Sequence, residues 1–357
     1  PSKIIALLSS LCTFILSLSL WFKFDHSIEN FQMVEQYIWI SRFNIDYFLG
    51  LDGLNFFFFL LISFVTPLAL LGSWNIKERN WQFQIQMLLL QIGMLGCFAA
   101  LDVFLFYVFF EVMLVPMYLL IGMWGGKNRL YATIKFFIYT MFGSLLMLIS
   151  LLYTANIYKD LHGDWSFNII DWYGMNIPSE IQFWLFIGFA IAFAVKIPIF
   201  PLHTWLPDAH YEAPTAGSVQ LAAVMLKFGP YGFLRFAMPV FPAAVYDLAP
   251  VFMILALIGI IYGGLVAMVQ TQIKRLIAYS SVAHMGYIVL GLFALNIQGL
   301  SGSWIQMINH AIVTGALFLT VGMIYERTHT QEISDYGGVM HTMPKFAVFL
   351  VFFSMAS

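Results

Sequence analysis

The sequence predicts an all-α, polytopic membrane helix bundle, and three observations support this prediction. The 357 residues are 61% hydrophobic and 10% charged, with a mean hydropathy of +0.85, whereas soluble domains carry about 25% charged residues. Apolar runs long enough to cross a bilayer recur along the whole chain. The charges lie mostly between these runs. The composition therefore excludes a soluble enzyme, a nucleic-acid-binding protein and a disordered chain, and the net charge of −2 gives no basic field for polyanions.

The apolar runs predict about ten complete transmembrane helices. Each has about 20 mainly apolar residues, the length that spans a bilayer. They cover residues 4–22, 54–74, 83–101, 103–123, 131–153, 181–205, 214–240, 250–270, 276–295 and 304–325. The longest segments between them are 23–53 and 154–180. An eleventh run after Lys345 is cut off, and the chain begins with Pro1, so we expect a fragment of a longer protein.

The basic residues in the loops predict the orientation of these helices. If Lys3 lies on the cytoplasmic or matrix side and the spans alternate, that side receives nine basic residues and the opposite side three. The nine are Lys3, Lys77, Arg79, Lys127, Arg129, Lys274, Arg275, Arg327 and Lys345, and the three are Lys23, Arg42 and Lys159. This asymmetry agrees with the positive-inside rule. We refer to the side with nine as the basic face.

No residue pattern indicates a redox cofactor, a nucleotide site or a metal. Cys12 and Cys97 lie in apolar runs without metal-ligand spacing, and we expect buried free thiols. There is no dinucleotide-binding glycine motif, P-loop or haem-ligand pair. A short segment near one membrane edge groups four potential ligands, but its prolines favour a shaped loop over a metal site. These four are His203, Asp208, His210 and Glu212.

Five ionisable residues fall inside apolar spans, where each costs about 2.5–3.5 kcal/mol near the bilayer centre. They are Glu111, Lys135, Lys196, Lys227 and Arg235. Such residues usually mark ion or proton pathways that face the bundle interior. Lys135 is an additional, ambiguous candidate because it can extend to the basic face, and the position of Arg235 near a span end favours an anchoring or structural role.

Glu111 and Lys196 form the first candidate pair. Glu111 lies about eight residues into its span, roughly 12 Å deep at 1.5 Å per residue, and Lys196 lies two and five residues before Pro198 and Pro201. These prolines predict a broken helix, whose irregular backbone is tolerated only in a protein-lined or wet cavity. The pair could form a static salt bridge, but we favour a lysine whose proton affinity follows the state of its partner.

Lys227 and two histidines complete the predicted set. Lys227 lies near the middle of its span and precedes Gly229 and Pro230, without an acid in its own helix. His284 and His310 lie inside two later spans. A single histidine on an apolar helix is usually a hydrogen-bonded core residue, but two near buried lysines favour a proton relay.

The motifs resemble those of the antiporter-like membrane subunits of proton-pumping NADH:quinone oxidoreductase, respiratory complex I. The main signature is FAVKIPIFPLHTWLPDAHYEAPTAGSVQLAAVMLKFGPYGFLRF, supported by DVFLFYVFFEVMLVPMYLLIGMWGG and QTQIKRLIAYSSVAHMGYI. The likeness covers essentially the whole chain. Related antiporter and hydrogenase subunits share the LPDAH-x-x-APT core, so the short motif alone does not separate them.

The resemblance implies an antiporter-like fold with inverted repeats, in which residues 1–357 form one proton-translocation domain lacking the family's first and last helices. It assigns Glu111 and Lys196 as the coupling pair, Lys227 as the central lysine, and His284 and His310 as a continuing hydrophilic axis. It implies no cofactor in this chain, with NADH, FMN, iron–sulfur clusters and quinone bound by partner subunits. The implied surroundings are the bacterial plasma membrane, or the inner mitochondrial membrane if the source is an organelle.

Three other functions are compatible with parts of the sequence. A multi-subunit cation/proton antiporter and an energy-converting hydrogenase use related membrane subunits and differ in their partner proteins. A purely structural membrane scaffold is disfavoured by the lysines inside the spans. The expected partners are other membrane-arm subunits, including neighbouring antiporter-like subunits, and the lipid bilayer, with no nucleic acid.

Overall fold

The computed structural model describes residues 1–25 and 27–357, and these are mostly helical. Within them, eight helical segments are long and apolar enough to cross a membrane, counting Val103–Trp124 as one segment. This confirms the predicted polytopic membrane helix bundle. The helices before residue 200 are α1 (Ser2–Trp21), α2 (Phe56–Gly72), α3 (Asn80–Ala99), α4 (Val103–Val112), α5 (Leu114–Trp124), α6 (Arg129–His162), α7 (Ile169–Trp172) and α8 (Ser179–Lys196).

The second half begins with short helices and ends with long ones. The short ones are α9 (Trp205–Glu212), α10 (Thr215–Ala223), α11 (Phe228–Gly232) and α12 (Met238–Val240), with a 3-10 turn at Met225–Lys227 and a π-helical turn at Phe233–Ala237. The remaining helices are α13 (Pro242–Met268), α14 (Ile273–Phe293), α15 (Ile297–Thr328), α16 (Val339–Thr342) and α17 (Pro344–Met355).

The segment predicted as a loop at 23–53 contains a β-hairpin, so the expectation of an all-α chain is wrong at this point. Strands β1 (Gln32–Ile40) and β2 (Ile45–Leu51) pair antiparallel around a turn that ends at Asn44, which has a left-handed backbone (φ 51°). Both strands are rich in β-branched and aromatic residues. A search for runs of 20 apolar residues cannot detect strands of nine and seven residues.

Several helix boundaries also differ from the prediction. Helix α6 continues to His162, so residues 154–162 extend the span and are not part of a loop. The predicted span 103–123 is interrupted at Met113, between α4 and α5. Pro116 explains this interruption, because it has no N–H to donate to the carbonyl of Val112 and its ring crowds that carbonyl.

The two cysteines occupy different environments. Cys97 is buried in α3, as expected, whereas Cys12 on α1 is exposed on the outside of the helix bundle. The prediction of a buried thiol is therefore wrong for Cys12. Apolar neighbours in a membrane helix fit a lipid-facing surface as well as a protein core, so the sequence pattern could not separate the two.

Arg235 forms a buried ion pair that joins the end of the hairpin to the π-helical turn. Its Nη2 lies 2.6 Å from both carboxylate oxygens of Asp52, and the two side chains are 7% and 16% exposed. The hydroxyl of Tyr173 donates to the Arg235 carbonyl at 2.9 Å. These contacts support the structural role expected for Arg235.

We expect Asp52→Ala to destabilise the protein by about 3–5 kcal/mol, because it leaves the Arg235 guanidinium buried without a counter-charge. Glu35→Ala is a suitable control, since Glu35 is an exposed acid on β1. Thermal unfolding of the purified membrane protein would measure the difference. Equal unfolding temperatures for the two variants would contradict this structural role.

Candidate functional site

Three of the predicted residues lie where helices are interrupted. Glu111 is the penultimate residue of α4, Lys196 is the last residue of α8, and Lys227 closes the 3-10 turn after α10. Prolines explain two of these breaks locally, since Pro116 lies four residues after Val112 and Pro230 four residues after Leu226. The interruptions expected after Lys196 and around Lys227 are therefore present, and the one beside Glu111 is additional.

Glu111 and Lys196 face each other without a direct salt bridge. Each is within electrostatic range of the other, but the ion pairs closer than 4 Å among the described residues do not include them. The Lys196 Nζ lies 4.7 Å from the Phe110 ring centroid and has no hydrogen-bond partner, and Glu111 Oε1 also has none. Lys196 is 2% exposed. The arrangement leaves two opposite charges close together without a direct bond.

Two glycines bring the Lys227 segment against the helix that carries Lys196. A Cβ at Gly229 would lie 2.3 Å from the Ile197 side chain and 2.7 Å from the Phe193 carbonyl oxygen. A Cβ at Gly232 would lie 2.3 Å from the Phe193 ring. Because real Cβ atoms do not approach other heavy atoms this closely, glycine is required for α11 to pack at this distance from α8.

Lys227 is completely buried and contacts one of the predicted histidines. Its Nζ donates to the Ala222 carbonyl at 2.6 Å and lies 2.7 Å from Nδ1 of His310. Nε2 of His310 has no partner. A lysine and an imidazole at this distance can share or exchange one proton.

His284 lies beside His310, on the neighbouring helix α14. Their ring centroids are 5.8 Å apart, and Nδ1 of His284 lies 3.4 Å from the amide nitrogen of Gln306. Both histidines line a cavity of about 250 Å³ together with Asn309 and Thr314. The structure thus places Lys227 beside His310 and His310 beside His284. The two histidines line the cavity, which is large enough for water.

Lys135 lies apart from this group, at the basic face. It forms a 2.8 Å salt bridge with Asp208, which also lies 3.6 Å from Arg275. His203, in the same region, has no hydrogen-bond partner on either ring nitrogen. In the part of the chain that the structure describes, no three His, Cys, Asp or Glu side chains are grouped to hold a metal ion.

The sequence interpretation did not foresee the burial of His210 and Lys274, among others. His210, expected in a loop at the membrane edge, is 0% exposed, and its ring stacks on Phe318 with centroids 4.3 Å apart. Both of its ring nitrogens lack partners, and it is within electrostatic range of Lys227 and Lys274. Lys274, assigned to a solvated loop, is 3% exposed. A signal was available for Lys274. Adjacent helical residues such as Lys274 and Arg275 point in directions about 100° apart, so one of them can point into the bundle while the other faces outward.

Polar atoms without partners accompany these ionisable residues through the bundle. Besides those on Glu111, Lys196, His210 and His310, they include Nε2 of Gln91 and Oε1 of Gln220. Buried polar groups in proteins are almost always hydrogen-bonded to protein or to ordered water. Their accumulation marks a polar region within an otherwise apolar bundle.

Comparisons with known proteins identify the family. Residues 100–357 match the family model described as "NADH:quinone oxidoreductase/Mrp antiporter, TM". The chain belongs to this NADH:quinone oxidoreductase/Mrp antiporter family. It is 45% identical to NADH-quinone oxidoreductase subunit M of Rhodobacter capsulatus, over 100% of this chain and 70% of that protein. It is 43% identical to NADH-ubiquinone oxidoreductase chain 4 of Arabidopsis thaliana, over 99% of this chain and 71% of that protein.

A solved structure supports the assignment to this family. A chain of respiratory complex I from Thermus thermophilus with bound NADH superposes with a TM-score of 0.91 at 33% identity, covering 100% of this chain and 74% of that one. The resemblance inferred from the LPDAH-containing segment is therefore confirmed. The matched residues 100–357 include all the ionisable candidates, whereas α1, the hairpin, α2 and α3 precede them.

Proposed function

We propose that this chain is a membrane-arm subunit of proton-pumping NADH:quinone oxidoreductase and carries protons across the membrane. The observation that supports this most strongly is the series of buried ionisable groups inside apolar helices, since such groups are costly in a membrane and usually mark ion or proton pathways. The similarity to subunit M and chain 4 proteins supports the assignment to this complex.

The proposed translocation domain is residues 1–357, with about ten complete crossings. The eight long helices provide most of them. Phe56–Gly72 and the interrupted segment 215–240 would provide two more, and Pro344–Met355 would begin an eleventh. Inverted repeats, as in other transporters built around broken helices, are part of this proposal.

The proposed proton route uses the interrupted helices. A change in the separation of Glu111 and Lys196 alters the electrostatic field at Lys227, since both lysines belong to segments packed through Gly229 and Gly232. Lys227 then releases its proton to His310, and His284 continues the route at the adjoining cavity. His210 is within electrostatic range of Lys227 and passes it a new proton from the basic face. Lys135, paired with Asp208, stays a peripheral candidate.

The energy for pumping comes from electron transfer in other subunits. We propose that this chain holds no cofactor, and that NADH, FMN, iron–sulfur clusters and quinone are bound by its partners. Those partners include neighbouring antiporter-like subunits in the same bilayer. The location is the bacterial plasma membrane or the inner mitochondrial membrane.

Native purification with a tag on this chain would test the proposal. We expect flavin- and iron–sulfur-containing subunits to co-purify, and NADH oxidation by the vesicle-reconstituted assembly to acidify the side opposite the basic face. An assembly with antiporter subunits that exchanges cations without redox activity would instead identify a cation/proton antiporter. Co-purification of a nickel–iron subunit would identify an energy-converting hydrogenase.

A further inference from the structure

A second polar cavity, of about 210 Å³, opens towards the basic face at the end of α9. It is bounded by the loop after α5, the start of α10, the start of α14 and the end of α15. Glu212 and Lys274 line it and are only 6% and 3% exposed. The volume accommodates several water molecules. Neither residue has a role in the route described so far.

The loop after α5 packs against Glu212 and hydrogen-bonds to it. Its Oε2 accepts the backbone N–H of Asn128 at 3.0 Å, and the Glu212 carbonyl accepts that of Gly126 at 2.9 Å. A Cβ at Gly126 would lie 2.6 Å from Oε2. Asn128 thus provides the donor and Gly126 the space for this side chain, and together they fix the carboxylate at the cavity wall.

Lys274 is held next to this carboxylate. Its Nζ donates to the carbonyl of Ala213 at 2.9 Å and lies 5.5 Å from the Tyr325 ring centroid. Held in this position, Lys274 lies within electrostatic range of both the carboxylate at the cavity wall and the buried His210.

We propose that Glu212 and Lys274 form the proton-loading site of the basic face, an inference that rests on the proposed function. Glu212 accepts a proton from hydronium in the cavity, so an O–H bond breaks on hydronium as one forms on the carboxylate. The proton then leaves through water towards a ring nitrogen of His210, which restores the carboxylate. Lys274 is a positioning residue whose positive charge favours the ionised carboxylate between transfers.

Other charged and titratable groups surround the pair and set its electrostatic background. Those on the elements packed against it are Asp208, His210 and Tyr211 of α9, Arg275 of α14, Tyr325 and Glu326 of α15, and Glu332 of the following segment. Glu326 binds the side chain of Asn75 at 2.6 Å. Glu212 is distinguished from these acids by its burial and by its backbone donor.

The test is the pH dependence of pumping by the intact complex in vesicles whose basic face is outward. We expect Glu212→Gln to slow pumping about tenfold near neutral pH, with recovery as the outer medium is acidified, because direct protonation by bulk water then becomes faster. Lys274→Met is expected to behave similarly, and Lys274→Arg to retain most activity. Glu78→Gln and Lys127→Met are controls, since both alter exposed residues of the same face.

Two results would overturn the loading site. One is wild-type pumping and pH dependence in Glu212→Gln and Lys274→Met; the other is a loss that acidification does not change. If these variants do not assemble, Thr215→Cys in a Cys12→Ser background decides, because residue 215 lines the cavity and is expected to react with a membrane-impermeant thiol reagent from the basic face only. Absence of that reaction excludes a hydrated inlet. Normal pumping by Lys227→Met would instead reject the proposed proton route through Lys227, on which the loading site rests.

Discussion

Lys227→Met is expected to reduce proton pumping on the order of 100-fold while the complex still assembles. The substitution keeps the length and apolar character of the side chain but removes the ammonium that contacts His310 and the Ala222 carbonyl. A positioned proton donor or acceptor contributes about 100- to 10,000-fold to a transfer step. Pumping by reconstituted vesicles, normalised to the amount of assembled complex, provides the measurement.

Lys77→Met is the matched control, because Lys77 is exposed outside the long helices. It should pump at the wild-type rate. Lys227→Arg should remain strongly impaired, since a guanidinium is effectively always protonated and cannot release its proton. Pumping by Lys227→Met comparable to that of Lys77→Met would remove Lys227 from the route.

Glu111→Ala is expected to reduce pumping at least tenfold, with Glu111→Asp intermediate. The alanine variant leaves Lys196, which already lacks a hydrogen-bond partner, without the carboxylate in its electrostatic range. The aspartate variant keeps the charge but moves it by one methylene group. The ratio of the two pumping rates therefore reports whether the charge or merely the packing of residue 111 matters.

Glu180→Ala is the matched control, because Glu180 is an exposed acid in the first turn of α8, the helix that also carries Lys196. It should pump normally. Equal rates for the alanine and aspartate variants of Glu111 would argue against an electrostatic role. Rapid-quench measurement of quinone reduction would separate a coupling defect from a loss of electron transfer.

The membrane fold was predictable because the bilayer imposes a strong length and polarity requirement on each span. Local interruptions were predictable only where a proline closely follows an ionisable residue, as after Lys196 and Lys227. The hairpin at 32–51 was not, since its short strands carry no signal on the scale of a membrane helix. The end of α6 was misplaced for a related reason: polar residues such as Asn156 and Asp160 do not stop a helix that extends into solvent.

The site was predictable to the extent that charge inside an apolar run is conspicuous. Glu111, Lys196 and Lys227 have this signal, and the structure buries both lysines and partly buries Glu111. His210 and Lys274 lack it, because their burial arises from tertiary packing of short helices against α15 and α14. The direct contact between Lys227 and His310, 83 positions apart, is likewise a product of packing alone.

The helix interruptions also affect how the molecule can deform. A helix that lacks one or more backbone hydrogen bonds bends more easily at that point than elsewhere, and the breaks at Met113 and at Met225–Lys227 adjoin Glu111 and Lys227 themselves. The most compliant joints of these two helices are thus also the places where they carry charge. A half-helix can tilt and displace its ionisable group while the long, uninterrupted helices keep the barrier to lipid and ions closed.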